Sequence, residues 1–574
     1  MPEDTTSTRD TSSTRGRLNW TGFADREDQL LIVLSLVIGV VVGLTVVAFM
    51  LLTGRLSARM YPPGNAAWRR VLVPTAGALV SGYLLFRYFP GARGSGIPQT
   101  KFALFIEDGY ISLKTVFGKL ICCSISLASG IALGREGPSV QIGAGIASVI
   151  GRRFGLRPEN VKALVPVGAA AALAAAFNTP IAAVLFSLEE ILGDLHATAI
   201  GTVVLSSATS WMVLHLFLGD QPLFHVPAYQ LVSPWELAIY AVLGVAGGLG
   251  SVAFVKLLLQ LRIWFRRLPR KTVWIQPVAG GLLVGLVGWF VPEVLGVGYD
   301  YVDRVLGGDA PLRTLLLLAV LKIIATPVCY SSGNAGGIFG PSLFIGAMIG
   351  GAVGSVAHLL FPASTANPGA YALVGMGTAF AGIVRTPLTS VIMIFEMTRD
   401  YAIIVPLMIS NLISFFLSQK LQEEPIYEAL AHQEGVHLPT SEARELQGGV
   451  RVGDVMAADA PMLAPEAGIA EARAFFETEG CNSWVVGEDG RVAGMLHRSQ
   501  IEAARPEAML RDVIDTGSLF PHVHPDNSAG QALERMRAGQ VDVLPVVSRA
   551  DLRALRGMVT LRGLLAVYGV SEPS

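Results

Sequence analysis

The chain alternates long apolar stretches with short polar ones over most of its length. Residues 30–54 contain no charged residue, and neither do residues 163–188 or 402–419. Runs of about 20 uncharged residues can cross the hydrocarbon core of a bilayer as helices. Other apolar stretches, such as 71–86 and 387–395, are shorter or interrupted by Gly and Pro. The pattern predicts roughly ten to twelve complete or interrupted membrane helices.

The pattern changes near residue 450, where short segments with helix and strand periodicity replace the apolar runs. One helix–strand–turn–strand unit spans about 450–505, and a second spans about 508–570. The sequence Gly453–Met456 in the first unit is echoed by Arg511–Ile514 in the second. The tail is therefore predicted to be a paired α/β module.

Polar stretches set the predicted domain boundaries. Residues 1–28 are rich in Ser, Thr and Arg and are predicted to form a disordered cytosolic leader without a cleavable signal. A membrane body follows at 29–435, then a polar linker at 436–449 and the α/β tail at 450–574.

Composition supports the membrane assignment and excludes some partners. Only 15% of the 574 residues are charged and 52% are hydrophobic, whereas soluble domains carry about 25% charged residues. The net charge of −1 gives no reason to expect nucleic acid as a partner. The four cysteines show no metal or disulfide spacing, so neither a metal site nor a cofactor is predicted in the body.

The membrane body is an internal repeat with halves at about 29–220 and 231–420. Gly134–Ser139, with the sequence GREGPS, recurs as GIFGPS at Gly337–Ser342, an offset of 337 − 134 = 203. Proline suits the first turn of a helix, and the unpaired N–H groups of that turn form an anion site. Two such helix starts in matching halves predict a substrate path near the bilayer midplane.

The two halves differ in their carboxylates. Only the first helix start carries one, at Glu136. A second match, between Pro180 and Pro387, has an offset of 207 and aligns Glu189 with Glu396. A carboxylate present in both halves is most simply structural, whereas Glu190 occurs in one half only. Glu136 and Glu190 are therefore the candidates for function.

Four sequence features now point to a family. Gly94–Pro98, Gly134–Pro138 and Gly337–Pro341, followed by Tyr427, resemble the ordered signature stretches of CLC chloride channels and proton-coupled chloride transporters. The resemblance covers roughly residues 30–435. It implies an α-helical multi-pass membrane protein with an inverted repeat of broken helices, and the tail resembles a cytosolic pair of CBS domains.

The resemblance also implies which groups bind chloride. Partial positive charges suit a conducted anion, because full charges would bind it too tightly to release. The implied donors are the hydroxyls of Ser95 and Tyr427 and the backbone amides of Ile338 and Phe339, with the backbone of Arg135 and Gly137 at a second position. Two alternatives stay open: Ser95 as a helix N-cap, and Tyr427 as an interfacial tyrosine.

The resemblance assigns the two glutamates to proton coupling. Ionised Glu136 would occupy an anion site and block it; protonated, it would move away. Glu190 resembles the inner proton acceptor of the exchanging members, while a surface glutamate near Asp194 is the alternative. An exchanger of chloride for protons is therefore expected, with a passive chloride channel as the alternative.

The tail departs from the nucleotide-binding CBS pattern. The second copy keeps Thr560 but has Gly563 where an Asp would bind ribose, and the first copy has His497 and Gln500 at these places. Thr560 is thus a weak candidate for adenine nucleotide binding, and a dimer-stabilising or conformational role is the simpler expectation.

The remaining expectations concern the oligomeric state, the membrane location and the class of protein. The family resemblance implies a homodimer in the cell (inner) membrane, with chloride, protons and the lipid bilayer as partners and both termini cytoplasmic. A membrane enzyme or a divalent-cation transporter is the third alternative. The body lacks a His-Glu-x-x-His pair and a nucleophile elbow, which argues against an enzyme.

Overall fold

A computed structural model describes residues 21–62, 64, 66–195, 200–220, 222–224, 226, 231–436, 450–514, 520–549 and 551–567. The chain divides into two compact units, residues 1–438 and 439–574. The first helix begins at Thr21, so the predicted leader is wrong in extending to residue 28; a helix already occupies its last part. Residues 1–20 of the leader, and the predicted linker from 437 to 449, lie outside the described residues.

The described part of the first unit is helical. Its helices are α1 Thr21–Met60, α2 Arg69–Arg87, α3 Ile97–Phe105, α4 Leu113–Ala128, α5 Glu136–Arg153, α6 Pro158–Phe177, α7 Pro180–Phe186, α8 Ile200–Leu218, α9 Glu236–Arg267, α10 Gln276–Phe290, α11 Tyr299–Leu306, α12 Leu312–Ser331, α13 Phe339–Leu360, α14 Pro368–Val384, α15 Pro387–Thr398, α16 Ile404–Leu421 and α17 Ile426–Gln433. A π-helical turn, Ser187–Leu192, continues α7.

The apolar stretches form helices of two lengths in the structure. Among the described residues, seven helical segments are long and apolar enough to cross a membrane, and α10, α14 and α15 are shorter apolar helices. Many large apolar side chains on these helices are exposed, including those of Val33, Leu216 and Phe290. Such surfaces suit lipid rather than water.

The two halves of the repeat meet at their Gly-Pro helix starts. The N–H of Gly134 donates to the carbonyl of Gly337, and the N–H of Gly337 donates to the carbonyl of Gly134, both at 2.7 Å. This antiparallel bridge joins equivalent residues of the two halves. The repeat read from the sequence is therefore also a contact in space.

Two buried lysines extend the same symmetry. Lys119 donates to the carbonyls of Ala92 and Gly94, at 3.0 and 2.7 Å. Lys322 donates in the same way to Val294 and Gly296, at 3.0 and 2.6 Å. Both lysines are fully buried, and each fixes the loop before a helix, α3 for Lys119 and α11 for Lys322.

The shared glutamates cap helices across the halves. Glu189 accepts hydrogen bonds from the N–H groups of Leu388 and Thr389, at 3.3 and 2.8 Å. Its counterpart Glu396 accepts from Ile181 and Ala182, at 2.9 and 2.7 Å. Each carboxylate thus satisfies the first turn of a helix in the other half, in keeping with a structural role.

The second unit consists of two similar halves. Its helices are α18 Val452–Val455, α19 Ile469–Glu479, α20 Arg498–Ala503, α21 Ala529–Gly539 and α22 Leu561–Val567, and its strands are β1 Ser483–Glu488, β2 Arg491–His497, β3 Val543–Val547 and β4 Leu555–Thr560. Strands β1 and β2 form one antiparallel pair, and β3 and β4 form the other. The halves are linked where Asn482 N donates to Asp542 Oδ2 at 2.7 Å and Asp542 N donates to Ser483 Oγ at 2.8 Å.

Candidate functional site

The side chain of Glu136 lies fully buried at the start of α5. Its Oε1 accepts a hydrogen bond from the hydroxyl of Tyr299 at 2.5 Å. Its Oε2 accepts from the backbone N–H of Gly340 at 3.2 Å. The carboxylate therefore reaches away from its own helix and occupies the start of α13 in the second half.

This placement brings Glu136 to the same helix start as two predicted chloride donors. Ile338 is the N-cap of α13 and Phe339 its first residue, directly before Gly340. The first N–H groups of a helix have no acceptor within it, so they attract an anion. The carboxylate of Glu136 is the anion that one of these groups holds in this structure.

Arg135 and Tyr299 form the rim around the carboxylate. Arg135 Nε lies 3.9 Å from Glu136 Oε1, and its guanidinium lies 5.8 Å from the centre of the Tyr299 ring. The same ring packs edge-on against Phe224. An aromatic face stabilises a nearby cation, so Arg135 adds positive charge beside the carboxylate.

Ser95 and Tyr427 supply two buried hydroxyls. Neither oxygen has a well-aligned hydrogen-bond partner among the described residues, and the nearest hydroxyl to Ser95 is that of Tyr330. The N-cap of α3 is Gly96 rather than Ser95, and Tyr427 is only 1% exposed, unlike an interfacial tyrosine. Unpartnered buried hydroxyls are costly, which favours an anion as their partner.

The ring of Phe339 belongs to an aromatic cluster. Its centre lies 4.8 Å from that of Phe177, 5.6 Å from Phe186 and 4.3 Å from Phe380. All four rings are fully or almost fully buried. The cluster keeps bulk water away from the helix start, which strengthens the attraction between its N–H groups and an anion.

Glu190 is buried in the π-helical turn and is not a surface residue. Its Oε1 lies 2.8 Å from Lys101 Nζ, and the same ammonium lies 3.7 Å from Glu428. Both Glu190 and Glu136 are close enough to Tyr427 for their charges to act on it.

A basic cavity opens beside Gly94, the residue before Ser95. Its volume is about 580 Å³, and it includes Gly94 and Tyr330. Four arginines line it against a single glutamate, Glu434: Arg93, Arg262, Arg266 and Arg270. Glu434 pairs with Arg262, so the lining keeps an excess of positive charge, which attracts anions to the cavity.

The CBS residues have local structural roles. Thr560 Oγ1 accepts a hydrogen bond from the N–H of Gly563 at 3.0 Å, at the start of α22. In the first copy, the side chain of Gln500 accepts from the N–H of His497 at 2.8 Å. Both side chains thus cap short helices, and adenine nucleotide binding at Thr560 stays a prediction.

Sequence reasoning did not single out Tyr299, Lys101 or Glu428. Tyr299 and Glu136 are 163 residues apart along the chain, and no repeat links them. Lys101 offered one usable signal, since it is a charged residue three positions after Pro98 of the Gly94–Pro98 motif.

The comparisons with known proteins agree with this architecture. The profile of the family described as "Voltage gated chloride channel" matches residues 76–419, and the CBS domain profile matches 452–507 and 507–569. A Vibrio campbellii relative named H(+)/Cl(-) exchange transporter ClcA is 33% identical over 369 residues, which are 63% of this chain and 79% of the relative. A Ralstonia nicotianae relative named "Putative chloride channel protein ClcB-like" is 34% identical over 366 residues, which are 63% of this chain and 85% of the relative.

Solved structures share the fold. A slow cyanobacterial Cl-/H+ antiporter has a TM-score of 0.66 and 28% identity, covering 70% of this chain and 97% of its own. A eukaryotic CLC transporter, at 21% identity, shows the fold alone, with a TM-score of 0.63 over 92% of this chain and 97% of its own. The predicted fold class is confirmed: a multi-pass helical membrane protein followed by a small α/β CBS pair. The chain belongs to the voltage gated chloride channel family.

Proposed function

We propose that this protein exchanges chloride for protons across a membrane, with Glu136 as the gate and Glu190 as the inner proton acceptor. The observation that carries the proposal is the position of the Glu136 carboxylate on the N–H of Gly340. A protonatable group there occupies a donor next to the amides of Ile338 and Phe339. The ionised carboxylate therefore excludes chloride from this helix start, whereas a proton on Glu136 permits chloride to bind there.

The steps follow from the contacts. Ionised Glu136 is held by Tyr299 and Gly340 and closes the path. A proton on the carboxylate removes its charge, weakens both hydrogen bonds and frees the helix start for chloride. Chloride then passes between the hydroxyls of Ser95 and Tyr427 and the amides of α13. All donors come from the chain, so we propose that no cofactor takes part.

Reconstituted vesicles separate the exchanger from a channel. In an outward chloride gradient with the membrane potential clamped near zero, an exchanger drives protons into the vesicles as chloride leaves. A pH-sensitive dye should therefore report acidification of the lumen. A passive channel moves chloride without a pH change, and that result in protein with normal chloride flux would contradict the proposal.

Glu190→Gln is expected to stop proton transport while chloride flux continues. The amide has the shape of the carboxyl group but cannot carry a proton. Proton and chloride fluxes measured together should show proton movement at the level of protein-free vesicles. Glu107→Gln is the control, since Glu107 is an exposed glutamate in the same unit and its loss should leave both fluxes unchanged. Normal proton transport by Glu190→Gln would remove Glu190 from the pathway.

Tyr299→Phe is expected to raise chloride flux at neutral pH and to weaken its dependence on acid. The ring and its packing on Phe224 stay, but the closed carboxylate loses one donor. A hydrogen bond to a charged group contributes about 1.5–3 kcal/mol, so the gate equilibrium should shift at least about tenfold toward open. Tyr301→Phe, on the same helix α11, is the control. Equal pH profiles for the two variants would exclude Tyr299 from gating.

We also propose a homodimer in the cell membrane with both termini cytoplasmic. The basic stretch from Arg262 to Lys271 supports this orientation, because positively charged loops stay in the cytosol. Cross-linking and the mass of the purified protein in detergent test the assembly. Labelling of cysteines introduced at Arg270 and Arg69 tests the orientation.

A further inference from the structure

One buried ammonium group is shared by two carboxylates at the inner proton site. Lys101 Nζ lies 2.8 Å from Glu190 Oε1 and 3.7 Å from Glu428 Oε1. The side chains of Lys101 and Glu190 are 3% and 7% exposed, and that of Glu428 is 24% exposed. The three groups come from α3, the π-helical turn and α17, so the fold assembles this cluster from distant segments.

The other charged groups nearby already have partners. Glu189 is close to Glu190, but its carboxylate accepts from the N–H groups of Leu388 and Thr389. Arg385 is close to Glu428, but its guanidinium donates to backbone carbonyls at the end of α16 and beyond, those of Ser418, Gln422 and Glu423. The charges of Lys101, Glu190 and Glu428 are therefore balanced chiefly within this group of three.

The cluster solves a problem that a single ion pair would create. A buried charge left without its partner is strongly destabilising. If Glu190 were the only partner of Lys101, each proton that reached Glu190 would leave the ammonium unpaired. That cost would oppose the protonation that transport requires.

We propose that Glu428 is the alternate counter-ion of Lys101, which pairs with Glu190 when that carboxylate is ionised and with Glu428 when it is protonated. The lysine side chain is flexible, and the second carboxylate already lies within 4 Å. Glu428 is thus a positioning residue, which makes proton uptake by Glu190 possible without carrying the proton itself. The proposal rests on the proposed function, since it requires Glu190 to take up protons.

A double-mutant cycle in reconstituted vesicles tests the proposal. The readout is the number of protons moved per chloride, measured with chloride and pH electrodes in the same sample. Glu428→Gln is expected to lower this ratio by about tenfold or more, because the ammonium then has no partner when Glu190 is protonated. In a Lys101→Met background the same change should alter the ratio by less than about twofold, since no ammonium remains.

Two further variants test whether the effect is specific to the position and reach of the Glu428 carboxylate. Glu424→Gln removes a more exposed glutamate beside α17, which pairs with His432, and should leave the ratio unchanged. Glu428→Asp keeps the charge with a shorter reach and should fall between the wild-type protein and Glu428→Gln. Should Glu428→Gln not fold, Glu428→Asp carries the test, with a lowered ratio expected and a wild-type ratio overturning the proposal.

The outcomes separate this inference from the proposed function. A wild-type protein that moves no protons would refute exchange itself. A wild-type exchanger whose ratio does not change in Glu428→Gln would overturn the alternate counter-ion alone. An equally large effect of Glu428→Gln with and without Lys101 would also overturn it, because Glu428 would then act independently of the ammonium.

Discussion

Glu136→Gln is expected to abolish proton transport and to leave a chloride flux that no longer depends on pH. Glutamine matches glutamate in shape but cannot become an anion, so it does not compete with chloride for the N–H groups at the start of α13. The hydrogen bond from Gly340 N to Glu136 Oε2 is 3.2 Å long in this structure, and in the variant its acceptor would be neutral. Chloride binding should become tighter, because the helix start is no longer occupied by a carboxylate.

Three measurements check this prediction. Proton flux in vesicles should fall to the level of protein-free vesicles, chloride flux should be flat with pH, and calorimetry should show a higher chloride affinity. Glu396→Gln is an informative comparison: its carboxylate caps α7, so its loss should lower thermal stability without making flux independent of pH. Proton transport that survives in Glu136→Gln would remove the gate from the proposed function.

Gly96→Ala is expected to destabilise the protein and to disrupt the chloride site. A Cβ at this position would lie 2.2 Å from the carbonyl oxygen of Gly137, and the φ angle of +108° is one that alanine rarely adopts. The backbone conformation costs about 1–2 kcal/mol, and an overfilled contact adds about 1–3 kcal/mol. Relief would require Ser95 to move away from the start of α5.

Gly54→Ala is the matched control, since nothing lies within 4 Å of the Cβ it would add. Alanine favours a helix over glycine by about 1 kcal/mol, so Gly54→Ala should be neutral or slightly stabilising. Thermal unfolding in detergent and chloride binding by calorimetry distinguish the two variants. A Gly96→Ala protein with normal stability and normal chloride affinity would show that the close packing of α3 on α5 is dispensable.

The helix starts and the repeat could be predicted from the sequence because each is marked by residues that lie close together along the chain. The Gly-Pro repeat marked two helix starts, and these starts are bonded to each other through Gly134 and Gly337. The repeat also separated Glu189, which is a cap, from Glu190, which is not. The family resemblance brought in Ser95 and Tyr427, whose buried hydroxyls have no well-aligned hydrogen-bond partner in the part of the chain that the structure describes.

Partners distant along the chain could not be predicted in the same way. Sequence reasoning placed Glu136 on its own helix start, whereas its carboxylate binds the N–H of Gly340, 204 residues away. The donor Tyr299 follows Gly298, which has a φ of +88°, but no residue pattern connects it to Glu136. The ion pair of Lys101 with Glu190 likewise depends on how α3 packs on the π-helical turn, which no residue pattern encodes.

The reciprocal bridge between Gly134 and Gly337 has a mechanical consequence. The two halves are hydrogen-bonded to each other at the anion site. They are also closely packed there, since a Cβ on Gly337 would lie only 3.2 Å from the backbone N of Gly137. Neither helix start can slide or tilt without displacing the other, so large rocking of one half against the other would break the site it is meant to expose. We expect the backbone at this junction to stay rigid through the transport cycle, with access switched by the rotation of a single side chain. Hydrogen exchange should accordingly find Gly134 and Gly337 among the slowest amides in the protein, at every pH and chloride concentration.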